Sequence, residues 1–131
     1  MTGKPRLRPD TELDALSVAW AAGFFEGEGW ILGRISRYGR HVSIAIENTD
    51  LDALLRFQEA VGGLGHVSTR KSRSATHKKL WKWQCGSANE IRFIIGALWG
   101  WLTPRRKAQV EEAFAVYDGC QPLHRWSPEA H

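Results

Sequence analysis

Cysteine is scarce in this 131-residue chain: there are two, Cys85 and Cys120, and no C-x-x-C pair. Two thiols are too few to staple a small secreted domain, so both read as reduced. No apolar run is long enough to cross a bilayer, and no basic-then-apolar leader segment opens the chain. The expectation is a soluble, intracellular protein, cytoplasmic or organellar according to its host. Acid is missing locally. The segments 33–46 and 66–89 hold nine of the 18 Lys and Arg residues and no Asp or Glu. With a formal net charge of +4, these two positive patches favour a polyanionic partner.

What is present fits one ordinary globular domain, with 43% hydrophobic and 24% charged residues. Of the seven tryptophans, Trp81, Trp83, Trp99 and Trp101 are expected to pack in the core rather than stack on a base. Residues 1–12 carry two prolines and three basic side chains without apolar periodicity and read as a loose basic arm. The folded domain is expected over 13–118, followed by an aperiodic tail, 119–131.

Apolar residues recur at helical spacing from Leu13 to about Phe25. Trp30–Tyr38 and the alternating His41–Glu47 read as a hairpin turning at Gly39–Arg40. A cap at Asn48–Asp50 opens a second helix carrying Leu51, Leu54, Leu55, Gln58 and Val61, which Gly62–Gly63 stops. His66–Arg73 and Leu80–Cys85 read as a second hairpin with a polar tip. A capping box, Ser87 to Glu90, and the Thr103–Pro104 pair open two further helices.

Two hairpins, each followed by a helix, can merge into one four-stranded antiparallel sheet with helices on one face. The class is α+β, in the order α-β-β-α-β-β-α. By the period-2 rule, Arg34, Ser36, Tyr38, His41, Ser43, Ser68, Arg70, Lys82 and Gln84 share the uncovered face. Strands in the major groove of double-stranded DNA can read base edges. Phosphate contacts are expected from Arg37, Arg40, Lys71, Arg73, Lys78 and Arg106. His41, His66 and His77 have no ligand spacing and are expected to meet DNA or solvent rather than metal.

The segment Ala21-Ala-Gly-Phe-Phe-Glu-Gly-Glu-Gly29 resembles the motif that names the LAGLIDADG homing endonucleases, with Ala21 in place of the first leucine. Gly23, Gly29, Glu26 and Glu28 fill its glycine and acidic positions, and the likeness extends over about residues 13–117. It implies a site-specific endonuclease cutting one phosphodiester on each strand of a long, near-palindromic DNA site. Its single motif implies a homodimer. Ala19, Ala22, Gly23 and Gly27 offer a small-residue surface for the partner's helix, with Glu26 at the same interface supporting the helix end.

The resemblance further implies that Glu28 and the backbone carbonyl of Gly27 hold Mg2+, with Mn2+ as a possible substitute. Asn48 takes the polar position after the second strand. Arg106 with Gln109 takes the basic position at the last helix, with Lys107 as the alternative. A non-cleaving DNA-binding regulator and an RNA-binding maturase are the other functions this scaffold supports.

Overall fold

The computed structural model describes residues 12–70 and 79–119, the side chain of Arg70 excepted. The basic arm, the segment around Lys71, Arg73, His77 and Lys78, and Cys120 with the rest of the tail lie outside the described residues.

Helix α1 spans Ala15–Glu28 and is capped by Asp14, whose carboxylate accepts from the Ser17 N–H at 2.9 Å. It ends three residues beyond the apolar periodicity. Glu26, Gly27 and Glu28 bury no apolar side chain, yet the Gly29 N–H still bonds the Phe25 carbonyl. Strands β1 (Gly29–Ser36) and β2 (Gly39–Asn48) form the first hairpin. Its turn is at Arg37–Tyr38 rather than Gly39–Arg40, and Gly39 opens β2 at a φ of 126° that favours glycine.

Helix α2 (Leu51–Ala60) is capped by Asp50 and followed by the second hairpin, β3 (His66–Arg70) and β4 (Leu80–Cys85). Leu55, expected on its apolar face, is exposed. Phe57 takes the buried place, and Gln58 satisfies its burial by donating to the Gly65 carbonyl at 2.8 Å. Helices α3 (Ala88–Leu98) and α4 (Pro104–Tyr117) start at the Ser87 and Thr103 caps, with a 3-10 turn at Trp99–Trp101 between them.

The sheet order is β1-β2-β4-β3, every pair antiparallel. Pairing of β2 with β4 joins the hairpins at their inner edges. Ile31, Val42, Ile44, Ile46, Trp83 and Cys85 point to the helices and form the core with Phe25, Phe57, Ile91, Ile94 and Leu98. Helix α4 lies so close to β1 that a side chain at Gly33 would collide with the Ala113 carbonyl. Trp83 is fully buried and its indole donates to the Leu64 carbonyl at 3.0 Å. Trp81 and Trp99 pack partly buried against the core. Trp101 departs from the expectation at 59% exposure, because Leu102 takes the inward place after the 3-10 turn. Cys85 is a free, buried thiol, and burial raises its pKa. Among the described residues no helix is long and apolar enough to cross a membrane.

Candidate functional site

The last turn of α1 presents two carboxylates to opposite surroundings. Glu28 is exposed at the point where α1 becomes β1, beside the end of β2. There Asn48 donates from Nδ2 to Glu28 Oε1 at 3.2 Å, while its Oδ1 accepts from the Asp50 N–H at 2.8 Å. The Asp50 bond fixes which way the amide points, so its NH2 group is aimed at the carboxylate. The resemblance put Asn48 at the polar position following the second strand; the fold makes it the last residue of β2 and brings it to Glu28 across 20 residues.

Glu26 faces the start of α4. Its carboxylate accepts from the Thr103 N–H at 3.0 Å and the Thr103 hydroxyl at 2.9 Å, with Arg105 at 3.6 Å and Arg106 Nε at 3.9 Å. The Thr103 backbone bond, above all, holds its pKa below the ordinary value, and the two arginines add to this. The carboxylate therefore sits where the positive end of α4 favours an anion. Glu26 supports a helix end, but that of α4.

Arg106 is 5% exposed. One guanidinium nitrogen donates to the Glu26 carbonyl at 2.6 Å, another to Gln109 Oε1 at 2.8 Å, and the group lies over the Phe25 ring at 5.2 Å. Its Nε has no hydrogen-bond partner, and burial lowers its pKa from the ordinary value; a guanidinium remains charged nonetheless. Arg106 and Gln109 are thus together, as the resemblance implies, but only Gln109 is exposed; Arg106 is buried underneath the motif rather than at the surface where a phosphate contact was expected. Lys107, the alternative cation, lies 5.2 Å from the centre of the Trp99 ring, and Arg105 is the exposed cation of this turn.

The strand register defines the uncovered face of the sheet. Arg34, Ser36, His41, Ser43, Ser68, Lys82 and Gln84 lie on it, and Arg70 occupies a register position on the same side. One expected member of the face, Tyr38, and the expected turn residue Arg40 do not. Tyr38 is in the hairpin turn, with the Arg37 guanidinium over its ring at 5.5 Å. Arg40 pairs with Ile35 on the helix side, beside Gly119 at the end of α4. Periodicity put Tyr38 on the strand and the turn signal put Arg40 in the turn, whereas the turn begins earlier than Gly39 and exchanges the two. Ser36 Oγ and His41 Nε2 are 3.0 Å apart, tying the outer end of β1 to β2. Trp30 and Leu32 also face outward and were missed, since apolar residues in a strand read as core. Among the described residues Glu47 is the lone acid on this face, directly opposite Lys82.

On α1, Ala22 is fully buried with Val18, Ala21 and Phe25, which removes it from any surface for a second helix. The free stripe contains Gly23 and Gly27, where an added Cβ would meet nothing within 4 Å, with Ala19 half-buried beside them. Leu16, 82% exposed, extends this stripe by its seven-residue spacing from Gly23. That spacing was available in the sequence as a sign of a face turned from the core.

No family profile matches the chain, and no curated protein does. Solved structures do. The homing endonuclease I-CvuI in complex with its target, in the presence of calcium, is 22% identical with a TM-score of 0.61, covering 78% of this chain and 66% of that one. The LAGLIDADG homing endonuclease I-GzeII in complex with its DNA target is 17% identical with a TM-score of 0.61, covering 91% and 40%. The archaeal intron-encoded homing endonuclease I-Vdi141I complexed with DNA is 16% identical with a TM-score of 0.60, covering 88% and 80%. The chain spans just under two thirds of the length of I-CvuI and two fifths of I-GzeII. The fold is that of the LAGLIDADG homing endonucleases.

Proposed function

We propose that this chain is a site-specific DNA endonuclease that acts as a homodimer and hydrolyses one phosphodiester on each strand of a long, near-palindromic site. The observation that carries this reading is the exposed Glu28 carboxylate, oriented by Asn48, at the point where the motif helix runs into the basic open sheet face. A solvated or purely structural helix end has no need of that arrangement. The likeness to DNA-bound homing endonucleases supports the choice of DNA as partner.

Among the described residues no cluster of three or more His, Cys, Asp or Glu side chains could hold a metal. Glu26 is committed to Thr103 and the arginines, so one chain offers a single free carboxylate at this end of α1. That donor set fits Mg2+, which accepts one or two carboxylates and fills its remaining positions with water and phosphate oxygens. Mn2+ is the expected substitute. Glu28 and the Gly27 carbonyl would hold the ion, whose chemistry when bound is activation of water and stabilisation of the leaving oxygen. Asn48 orients Glu28. Arg106, packed between Phe25, Glu26 and Gln109, keeps the helix end in place and adds a fixed positive charge beneath it. In this reading Lys107 and Arg105 are the cations able to reach a phosphate.

One motif per chain leaves the second strand's carboxylate to a second copy. The open stripe of Leu16, Gly23 and Gly27, with Ala19 beside it, supports close approach of an identical helix.

The test is to retain duplexes from a randomised pool on the full chain and on Glu28→Gln in Ca2+, then add Mg2+ and sequence the ends. Central double-strand cuts in near-palindromic sites, lost in Glu28→Gln with binding kept, are expected. Cutting by Glu28→Gln at the wild-type rate overturns the assignment of Glu28. Enrichment without cutting by either protein identifies a DNA-binding regulator, and failure to enrich any duplex redirects the partner to structured RNA.

A further inference from the structure

The open sheet face is polar and basic along most of its length but not at its inner end. Directly after the motif helix, Trp30 is 38% exposed and Leu32 53% exposed, both on the face that carries Arg34, Lys82 and Gln84. Trp30 stands opposite Ala45, which is itself opposite Gln84 and is covered by its neighbours. The Lys82 ammonium reaches back over this row to within 5.3 Å of the Trp30 ring centre. Trp30 thus forms an outward apolar floor with a cation beside its ring. Leu32 stands opposite the small Ser43, so nothing tall shields it from across the hairpin.

An apolar side chain in this setting matches a specific partner. Arg34 and Lys82 flank it on the same face, which favours a polyanion over the apolar surface of a protein. In the major groove the one apolar feature that distinguishes bases is the C5-methyl group of thymine. We propose, resting on the reading of this sheet as a DNA-binding surface, that Leu32, seated beside Trp30, selects thymine by contact with its methyl group. Its distance from the cut follows from the strand. Leu32 is three residues beyond Gly29, about 10 Å at strand rise, or about three base pairs along a duplex. The thymine sits about that far from the phosphate facing Glu28, once in each half of a palindromic site. Arg34, on the next outward position of β1, then reads the base pair further out.

The experiment takes the site retained by the full-length protein in Ca2+ and replaces each thymine, one at a time, with deoxyuridine, which removes the methyl and leaves every hydrogen-bonding edge intact. Dissociation constants are measured for the wild type and for Leu32→Ala, whose exposed position spares the core. Loss of one buried methyl is expected to weaken wild-type binding about fourfold at the inner thymine. The ratio should fall to about one for Leu32→Ala. A uridine penalty that persists in Leu32→Ala, or is absent at all inner positions while the duplex still binds, overturns the assignment of Leu32 alone. If no duplex is retained, the DNA-binding reading of the sheet fails with it.

Discussion

Glu26 and Glu28 are two residues apart on one helix and carry the same functional group, yet they have opposite fates. Glu26 spends its carboxylate within the chain, on the Thr103 cap and the arginines at the start of α4. Glu28 is left open, with Asn48 at its flank. On a helix, a step of two residues is a rotation of about 200°, so neighbours of this kind face nearly opposite ways. The tripeptide Glu26-Gly27-Glu28 therefore supplies one anchor and one open carboxylate. Because the anchored side fixes where the helix ends, the open side is pre-positioned with Asn48 as its hydrogen-bond partner.

Four substitutions or conditions sharpen this contrast. Glu28→Gln should reduce cleavage about a thousandfold or more while the melting temperature and Ca2+-supported binding stay unchanged, measured on a selected duplex. Loss of stability in that variant would make Glu28 a structural group like its neighbour. Asn48→Ala should lower the cleavage rate by about ten- to a hundredfold, the range for a group that orients a metal-binding ligand. Its effect should be greatest at limiting Mg2+.

Glu26→Ala should show the reverse pattern, losing about 2 kcal/mol of unfolding free energy through the cap of α4 and the partner of buried Arg106. Denaturant melts decide it, and cleavage per folded molecule should fall far less than in Glu28→Gln. The smallest effect is in pH. The Glu26 pKa is lowered on folding from its ordinary value of 4.5, so its stabilisation is complete above that value and is lost as pH falls through the folded one. Wild type should therefore lose melting temperature more steeply than Glu26→Gln as pH falls below about 5. Parallel curves would remove the carboxylate from the stability of this corner.

Much of this could be read from the residues in order. The motif at 21–29 and the caps at Ser87 and Thr103 are local patterns, and the alternation of Val42, Ile44 and Ile46 against His41 and Ser43 set the inner and outer faces of β2. Errors arose where local rules give no direction. Ala22 is small like Gly23 but lies a hundred degrees away around the helix, toward the core. Arg40 and Tyr38 fell to the wrong place when the hairpin turned two residues early. Trp101 is aromatic and exposed, because one residue later Leu102 fills the available space.

The sequence alone determined the elements, the acidic helix end and the acid-free segments 33–46 and 66–89, since each depends on a single stretch of chain. Tertiary structure decided which carboxylate is free. Thr103 reaches Glu26 across 77 residues, and Asn48 meets Glu28 only because β2 returns to the end of α1. Periodicity reports which side of an element is apolar; it carries no information about which distant polar group will arrive there. That depends on how helices and sheet pack, and packing made one of two identical side chains a brace and left the other exposed.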